Sequence, residues 1–200
     1  MLALIMAGGD GRRLNLGEKP LVLINGRPMI AYVIDAFGEA GCETVVVTSR
    51  KTPMTQNWCR AQGITCQSSS GNGYIGDMVE SVRAIDEKGP LFVSVSDIPC
   101  VPGRIIRDIC LSYRKSGMEA CSSWVAASRI PDASRVEPCL ERIDGIDAVP
   151  AGVNILLGKK IEVPQPELKI LVRDPGLAIN VNTHSDRNAA EDFLRTIKRN

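Results

Sequence analysis

The fold is decided by residues 2–13, which read Leu-Ala-Leu-Ile-Met-Ala-Gly-Gly-Asp-Gly-Arg-Arg. A short unbroken apolar run that passes directly into glycines predicts a strand buried on both faces and ending in a tight turn. Glycines in such a turn let the backbone fold back, so that successive amide groups converge on the oxygens of a phosphate. The stretch therefore predicts an α/β protein with an anion site at the end of its first strand.

Strand-like and helical patterns alternate along the chain from this first strand onward. Strands are predicted at 2–6, 44–48, 64–67, 91–96, 120–127, 152–157, 168–172 and 177–181. Helices are predicted at 29–37, 53–62, 77–86, 102–115 and 185–198, and a small hairpin within the proline- and charge-rich residues 128–150. Because crossovers between parallel strands need covering helices, we expect a mostly parallel sheet in a three-layer α/β/α sandwich.

The composition limits the classes of function that the chain can serve. Two hundred residues with 44% hydrophobic content suffice for one domain, and we expect residues 1–200 to form a single domain. A formal net charge of +1 and an aromatic content of 4% disfavour binding to nucleic acid. No apolar run is long enough for membrane insertion, and seven cysteines without a Cys-x-x-Cys pair indicate reduced thiols in a cytoplasmic protein.

Two basic residues after the glycines complete the predicted anion site. Arg13 can clamp a phosphate through paired donors, and Lys19 can act as a mobile point charge, so the pair suits a triphosphate. A dinucleotide-binding turn is disfavoured, because residues 15–20 interrupt the helix that it needs and the second strand runs into Ser49, Arg50 and Lys51 rather than an acidic residue. A tight turn with basic surface residues is the other alternative.

Polar residues near the ends of two later strands could join this site. Asp97 follows the strand at 91–96, where a carboxylate can hold a divalent cation against triphosphate oxygens; the alternative is a cap on the turn at residues 98–99. Asn180 and Asn182 lie two apart, which on a strand places both amides on one face. Alternatively, Asn180 and Asn182 belong to the turn that leads into the last helix, with Thr183 or Ser185 as the N-cap of that helix.

The glycine-rich loop with a downstream Lys-Pro resembles that of the sugar-phosphate and cofactor nucleotidyltransferase superfamily. That superfamily includes the molybdenum-cofactor guanylyltransferases and the archaeal adenosylcobinamide-phosphate guanylyltransferases. The resemblance to the archaeal family is carried by four segments: Glu-Lys-Pro-Leu at 18–21, Ser-Gly-Asn-Gly-Tyr-Ile at 70–75, Val-Pro-Ala-Gly-Val-Asn at 149–154 and Ile-Asn-Val-Asn-Thr at 179–183. The last segment is common to the superfamily, whereas Val-Pro-Ala-Gly is the more discriminating one.

The resemblance implies a Rossmann-like nucleotidyltransferase fold and the transfer of GMP from GTP to adenosylcobinamide phosphate in cobalamin biosynthesis. It implies catalytic roles for Arg13, Lys19 and Asp97, and it makes Asp97 and Asn182 ligands of Mg²⁺ or Mn²⁺. It also implies substrate contacts by Ala7, Gly8, Gly9, Gly11, Arg12, Ser70, Gly71, Gly73, Gly152, Asn154, Asn180 and Asn182. Among these, residues 68–76 would hold guanine and ribose, and Gly152 and Asn154 would approach the second substrate.

Several alternatives stay open at this point. Residues 68–76 could be an ordinary connection, and Gly152 could serve a strand kink. The acceptor could be another phosphorylated molecule such as molybdopterin, and Asp10, an acidic residue in a phosphate loop, favours a GTP-binding regulatory module without turnover. A phosphomonoester acceptor is a dianion near pH 7, so the reaction needs no general base such as His184. The oligomeric state is open, with a homodimer among the expected assemblies.

Overall fold

The computed structural model describes residues 1–9, 16–130 and 139–199. Its strands are β1 (Leu2–Met6), β2 (Leu23–Ile24), β3 (Arg27–Pro28), β4 (Glu43–Ser49), β5 (Cys66–Ser69), β6 (Pro90–Val95), β7 (Ala120–Ala126), β8 (Glu141–Ile143), β9 (Ile146–Leu157) and β10 (Glu167–Leu171). Its α-helices are α1 (Met29–Glu39), α2 (Pro53–Ala61), α3 (Tyr74–Ala84), α4 (Gly103–Ser116) and α5 (His184–Arg199). None of the helices in these ranges is long and apolar enough to cross a membrane.

The main sheet is mixed and mostly parallel, as the sequence predicts. Its strand order is β10-β7-β9-β6-β1-β4-β5, with β8 paired to β9. β1 runs parallel to β4 and β6, β4 to β5, and β7 to β10. β9 runs antiparallel to both β6 and β7, and this central antiparallel strand is a feature that the alternating pattern does not reveal.

The strand order explains on which faces α1, α2 and α3 lie. The chain moves from β1 to β4 and β5 in one direction, then returns to β6 on the other side of β1. Because such crossovers are right-handed, the returning helix has to cover the opposite face of the sheet. Accordingly α1 and α2 pack in one cluster with Ile5 and Val46, while α3 packs with Leu4 and Val47 on the other face. The carboxyl ends of β1, β4, β5 and β6 then lie at one edge.

The larger cluster has an aromatic contact at its centre. The rings of Phe37 in α1 and Phe92 in β6 meet edge to face, with centroids 5.4 Å apart, and both side chains are fully buried. Truncation of a buried aromatic residue to alanine typically costs about 3–5 kcal/mol, so this contact is a main tie between α1 and the sheet.

A hairpin that we did not predict follows the first loop. β2 and β3 are joined by Asn25 and Gly26, whose φ angles of 47° and 80° suit a two-residue turn of the mirror-image type. The Asn-Gly pair was a usable signal in the sequence, but the strands that it joins are only two residues long. The hairpin packs with α5, and it therefore ties the carboxyl-terminal helix to the start of the chain.

Two predicted elements need correction. The strand predicted at 177–181 is wrong, because residues 175–178 form a 3-10 turn that starts at Pro175 and is capped by the buried carboxylate of Asp174. Gly176 packs so tightly there that a Cβ atom would lie 2.2 Å from the Cys100 carbonyl oxygen, so the segment faces residue 100 instead of a strand. The region 128–150 does contain a hairpin, but its second strand, β9, begins at Ile146 and continues to Leu157.

Other boundaries shift by a few residues. β5 begins at Cys66 rather than at 64, because its pairing with β4 places Cys66 opposite Val46. α3 begins at Tyr74 rather than at 77, directly after Gly73, whose φ of 106° suits glycine. The predicted end of α4 is confirmed, with Gly117 in the left-handed conformation that closes many helices.

Candidate active site

A cleft of about 390 Å³ opens where the carboxyl ends of β1 and β6 lie side by side. This is the point at which the strand order reverses, and open α/β sheets bind ligands at such points. The cleft is lined by Met6, Ala7, Gly8, Gly9, Lys19, Pro20, Lys51, Gly73, Tyr74, Asp77, Val95, Ser96, Asp97 and Asn182. Seven of the residues that the sequence assigns to the site are therefore among its walls: Ala7, Gly8, Gly9, Lys19, Gly73, Asp97 and Asn182.

Four of the predicted residues meet through their side chains. Lys19 Nζ donates to the Asp97 carboxylate and, at 2.7 Å, to Asn182 Oδ1. Asn182 Nδ2 in turn donates to Asn180 Oδ1 at 2.7 Å. The Lys19 and Asp97 side chains are each only 16% exposed, so this ion pair is screened much less than a surface pair. Residues that are 78 and 163 positions apart along the chain thus form one polar cluster.

One oxygen of Asp97 is available to a ligand. Asp97 Oδ1 is buried and accepts no hydrogen bond from the part of the chain that the structure describes. The carboxylate bonds to Lys19 rather than capping the turn at residues 98–99, which was its alternative role. Buried carboxylate oxygens nearly always have a partner, and a divalent cation is one that fits this atom. The geometry therefore fits a cation bound by Asp97.

The segment before α5 is held in place from both sides. The Val181 amide donates to the Asp97 carbonyl oxygen at 2.8 Å. The buried carboxylate of Asp186 accepts from the amides of Asn182 and Thr183, at 2.9 and 2.8 Å, and the Thr183 hydroxyl accepts from the Asp186 amide. This reciprocal arrangement caps α5, so the predicted cap by Thr183 is present. It also directs Asn182 toward Lys19, although residues 179–183 are not a strand.

The loop after β1 lies against Ser49, the last residue of β4. The Ser49 hydroxyl donates to the Gly8 carbonyl oxygen at 2.7 Å, and a Cβ atom on Gly8 would lie 3.2 Å from Ser49 Cβ. Glycine at position 8 therefore permits the close approach of Ser49. The remaining predicted loop residues, Gly11, Arg12 and Arg13, lie outside the described residues.

The predicted base loop is attached to α3 by its amide groups. The Ser70 amide donates to Glu80 at 3.0 Å, and the Gly71 and Asn72 amides both donate to Asp77 Oδ1 at 2.9 Å. Gly71 has a φ of 77°, which the loop needs in order to turn toward α3. Of Ser70, Gly71 and Gly73, only Gly73 lines the cleft. The amides of residues 70–72 are therefore bonded to α3, so within these three residues the carbonyl groups are the main-chain atoms left to contact a base.

Gly152 and Asn154 lie on β9 and do not line the cleft. Gly152 has a φ of 81°, and a Cβ atom there would lie 2.5 Å from Val95 Cγ2. The β7–β9 pairing is irregular at this point, so Gly152 does serve a strand kink, the alternative that its sequence context left open. The contact of Gly152 and Asn154 with the second substrate stays a prediction.

The cleft also contains residues that the sequence did not assign to it. Lys51, directly before α2, is exposed and adds a second cation, and the buried Asp77 holds the 70–72 loop. Tyr74 is the first residue of α3 and is 43% exposed; partial desolvation of its phenol, reinforced by the Asp97 charge, raises the pKa of Tyr74 to about 12, so the phenol is neutral near pH 7. Lys51 stood in the sequence at a strand end, where its charge was a usable signal, and Tyr74 lay within the loop predicted at 68–76. Asp77 gave no signal without the true start of α3.

The glycine turn, the lysine–carboxylate pair and their place at the reversal of the strand order define a nucleotidyltransferase. The chain belongs to the family of MobA-like NTP transferase domains, whose family model matches residues 3–155.

A curated relative matches the chain over nearly its whole length. The adenosylcobinamide-phosphate guanylyltransferase of Methanocaldococcus jannaschii is 31% identical to it, and the match covers 98% of each chain. The resemblance predicted from the four sequence segments is thereby confirmed.

Solved structures agree on the fold. A hypothetical transferase from Thermus thermophilus has a TM-score of 0.69 at 14% identity and covers 93% of this chain and 98% of its own. A CMP:2-keto-3-deoxy-manno-octonic acid synthetase complexed with CTP has a TM-score of 0.68 at 13% identity over 98% of both chains. A putative glucose-1-phosphate thymidylyltransferase from Bacillus anthracis has 0.70 at 12% identity, over 98% of this chain and 96% of its own. At these identities the likeness establishes the predicted nucleotidyltransferase fold alone.

Proposed function

We propose that this chain transfers GMP from GTP to adenosylcobinamide phosphate, giving adenosylcobinamide-GDP and pyrophosphate. The observation that carries the proposal is the 31% identity to the Methanocaldococcus jannaschii guanylyltransferase over 98% of both chains. The cleft supports the same class of reaction, because its glycine turn, two lysines and one available carboxylate oxygen suit a triphosphate.

The reaction requires the protein to align the two substrates and to neutralise their charge. An oxygen of the acceptor phosphate attacks the α-phosphorus of GTP, and the bond from that phosphorus to the β-phosphate oxygen breaks, so pyrophosphate leaves. Because the acceptor is already a dianion near pH 7, no side chain has to remove a proton first. Lys19 and Lys51 would stabilise the charge that builds up on the leaving pyrophosphate, and Gly8 and Gly9 would admit the phosphates close to the main chain.

The residues present fit a divalent cation. Asp97 Oδ1 would bind it, and Asn182 lies within the same polar cluster. The described residues contain no group of three His, Cys, Asp or Glu side chains suited to a metal, which agrees with an ion held largely by the phosphates of the substrate. When bound, Mg²⁺ or Mn²⁺ would neutralise negative charge on the triphosphate.

The proposal is tested by measuring pyrophosphate release from each of the four NTPs with Mg²⁺, with and without adenosylcobinamide phosphate. Release confined to GTP together with that acceptor is the expected result. Release with molybdopterin instead would identify another acceptor, and GTP binding without any release would identify a regulatory module. The cytoplasmic location, the single domain and the homodimer stay predictions.

A further inference from the structure

Glu18, the residue before Lys19, makes its side-chain contacts with the start of α2. Its carboxylate accepts from the Met54 amide at 2.7 Å, and from the Thr55 amide and the Thr55 hydroxyl at 2.6 Å each. Thr52, which precedes the helix, makes no side-chain capping bond, so Glu18 supplies the acceptors for two amides of the first turn. A residue 36 positions away along the chain thus caps α2.

Each of the two segments joined by Glu18 carries a lysine of the cleft. Lys19 directly follows Glu18, and Lys51 lies three residues before Met54. The Lys51 amide donates to Ser49 Oγ at 3.1 Å, and that hydroxyl donates to the Gly8 carbonyl oxygen. The contacts of Glu18 and Ser49 therefore connect both lysines and the glycine turn around one side of the cleft.

The contact between Glu18 and the start of α2 is partly buried. All three bonds are short and charge-assisted. Thr55 is completely buried and Glu18 is half-buried, so the two bonds from Thr55 are partly protected from water, whereas the bond from the Met54 amide is exposed. The preceding residue, Gly17, is exposed, while Pro20 is buried. Lys19 is consequently held by the Glu18 contact on one side and by packing of Pro20 on the other.

We infer that Glu18 is a positioning residue for nucleotidyl transfer, which holds Lys19 and Lys51 at a set separation so that both cations act on one polyphosphate. The inference rests on the proposed function. Consecutive Cα atoms are only about 3.8 Å apart, so a displacement of Glu18 is passed on to Lys19. A misplacement of about 1 Å in a catalytic group can cost on the order of 100-fold in rate.

The test compares Glu18→Gln, Thr55→Val and Lys19→Met with the double variant Glu18→Gln/Lys19→Met. Glu43→Gln, an exposed glutamate at the opposite edge of the sheet, is the matched control for the charge change. Steady-state kcat and KM are measured from pyrophosphate release, and thermal unfolding monitors the fold. We expect Glu18→Gln and Thr55→Val to lower kcat about 10-fold or more, and Glu43→Gln to leave it unchanged.

The decisive comparison is the effect of Glu18→Gln in the Lys19→Met background. If Glu18 acts through Lys19 as well as Lys51, Glu18→Gln lowers kcat by a smaller factor in the Lys19→Met background than in the wild-type chain, whereas a general loss of structure lowers kcat by the same factor in both. Full additivity, or unchanged kinetics with a lower Tm, overturns the inference. If Glu18→Gln does not fold, Thr55→Val/Lys19→Met supplies the same comparison.

The failure of the proposed function would be seen separately. A wild-type chain that releases no pyrophosphate with any acceptor refutes the transferase, and the same cycle is then run on the Kd for Mg²⁺ and GTP, measured by calorimetry. Non-additive losses of affinity, measured as increases in that Kd, support the positioning role. Additive losses of affinity, or no GTP binding, overturn it.

Discussion

Replacement of Asp97 by asparagine removes a carboxylate that pairs with Lys19 in the cleft while it preserves the size of the side chain. The Asp97 side chain is 16% exposed, so an effective dielectric constant of about 20 is more suitable than that of water. A unit charge about 4 Å from its partner then contributes about 4 kcal/mol. We therefore expect Asp97→Asn to lower kcat/KM by about 1,000-fold, since each 1.4 kcal/mol corresponds to a factor of ten.

The assay is pyrophosphate release from GTP and adenosylcobinamide phosphate, with GTP binding measured in parallel. Asp108→Asn, which removes an exposed carboxylate from α4, is the control for the change in net charge. We expect Asp97→Asn to lose turnover while it keeps measurable GTP binding through the glycine turn and the lysines. Wild-type turnover in Asp97→Asn would refute both the metal role of Asp97 and the electrostatic reasoning.

Three further outcomes follow from the structure. Asp77→Asn should weaken GTP binding about tenfold, because the amides of Gly71 and Asn72 lose a charged acceptor. Calorimetry measures the Kd, and an unchanged Kd would show that the 70–72 loop does not contribute to GTP binding. Gly152→Ala should destabilise the chain by about 2 kcal/mol or more, since its φ of 81° is strained for alanine and Val95 would have to move; urea unfolding measures the loss, and an unchanged midpoint would contradict it. Because partial desolvation and the Asp97 charge raise the pKa of Tyr74 to about 12 from its ordinary value of 10.0, the folded state holds the phenolic proton at pH values where the unfolded state has lost it. Stability from Tyr74 is thus complete below pH 10 and is lost between pH 10 and 12, so Tyr74→Phe should flatten the fall in Tm over that window.

The elements that the sequence predicts well are those with strong local signals. β1 and the helix at 29–37 are found at or near their predicted bounds, because an apolar run before glycines and an amphipathic period are independent of distant partners. The strand at 177–181 failed for the opposite reason. Its apolar residues are buried, but they pack beside Cys100 and Asp97 rather than in a sheet, and burial alone does not distinguish these environments.

The candidate site shows the same division. Lys19 and Asn182 could be selected from the sequence because they stand in segments typical of the superfamily, and Asp97 because it follows an apolar strand. Glu18 stands in the same segment as Lys19, yet its role depends on Thr55, and no local pattern couples residues so far apart along the chain.

The sequence by itself determined the fold class, the glycine turn and the identities of the main polar residues, because these follow from local propensity and from motifs of a few residues. Only the tertiary structure decided which of them meet. It placed β9 antiparallel beside β6, kept Gly152 and Asn154 out of the cleft walls, and brought Asp77 against the 70–72 loop. The physical reason is that hydrogen bonding and packing between distant segments depend on the path of the whole chain, which short-range patterns do not encode.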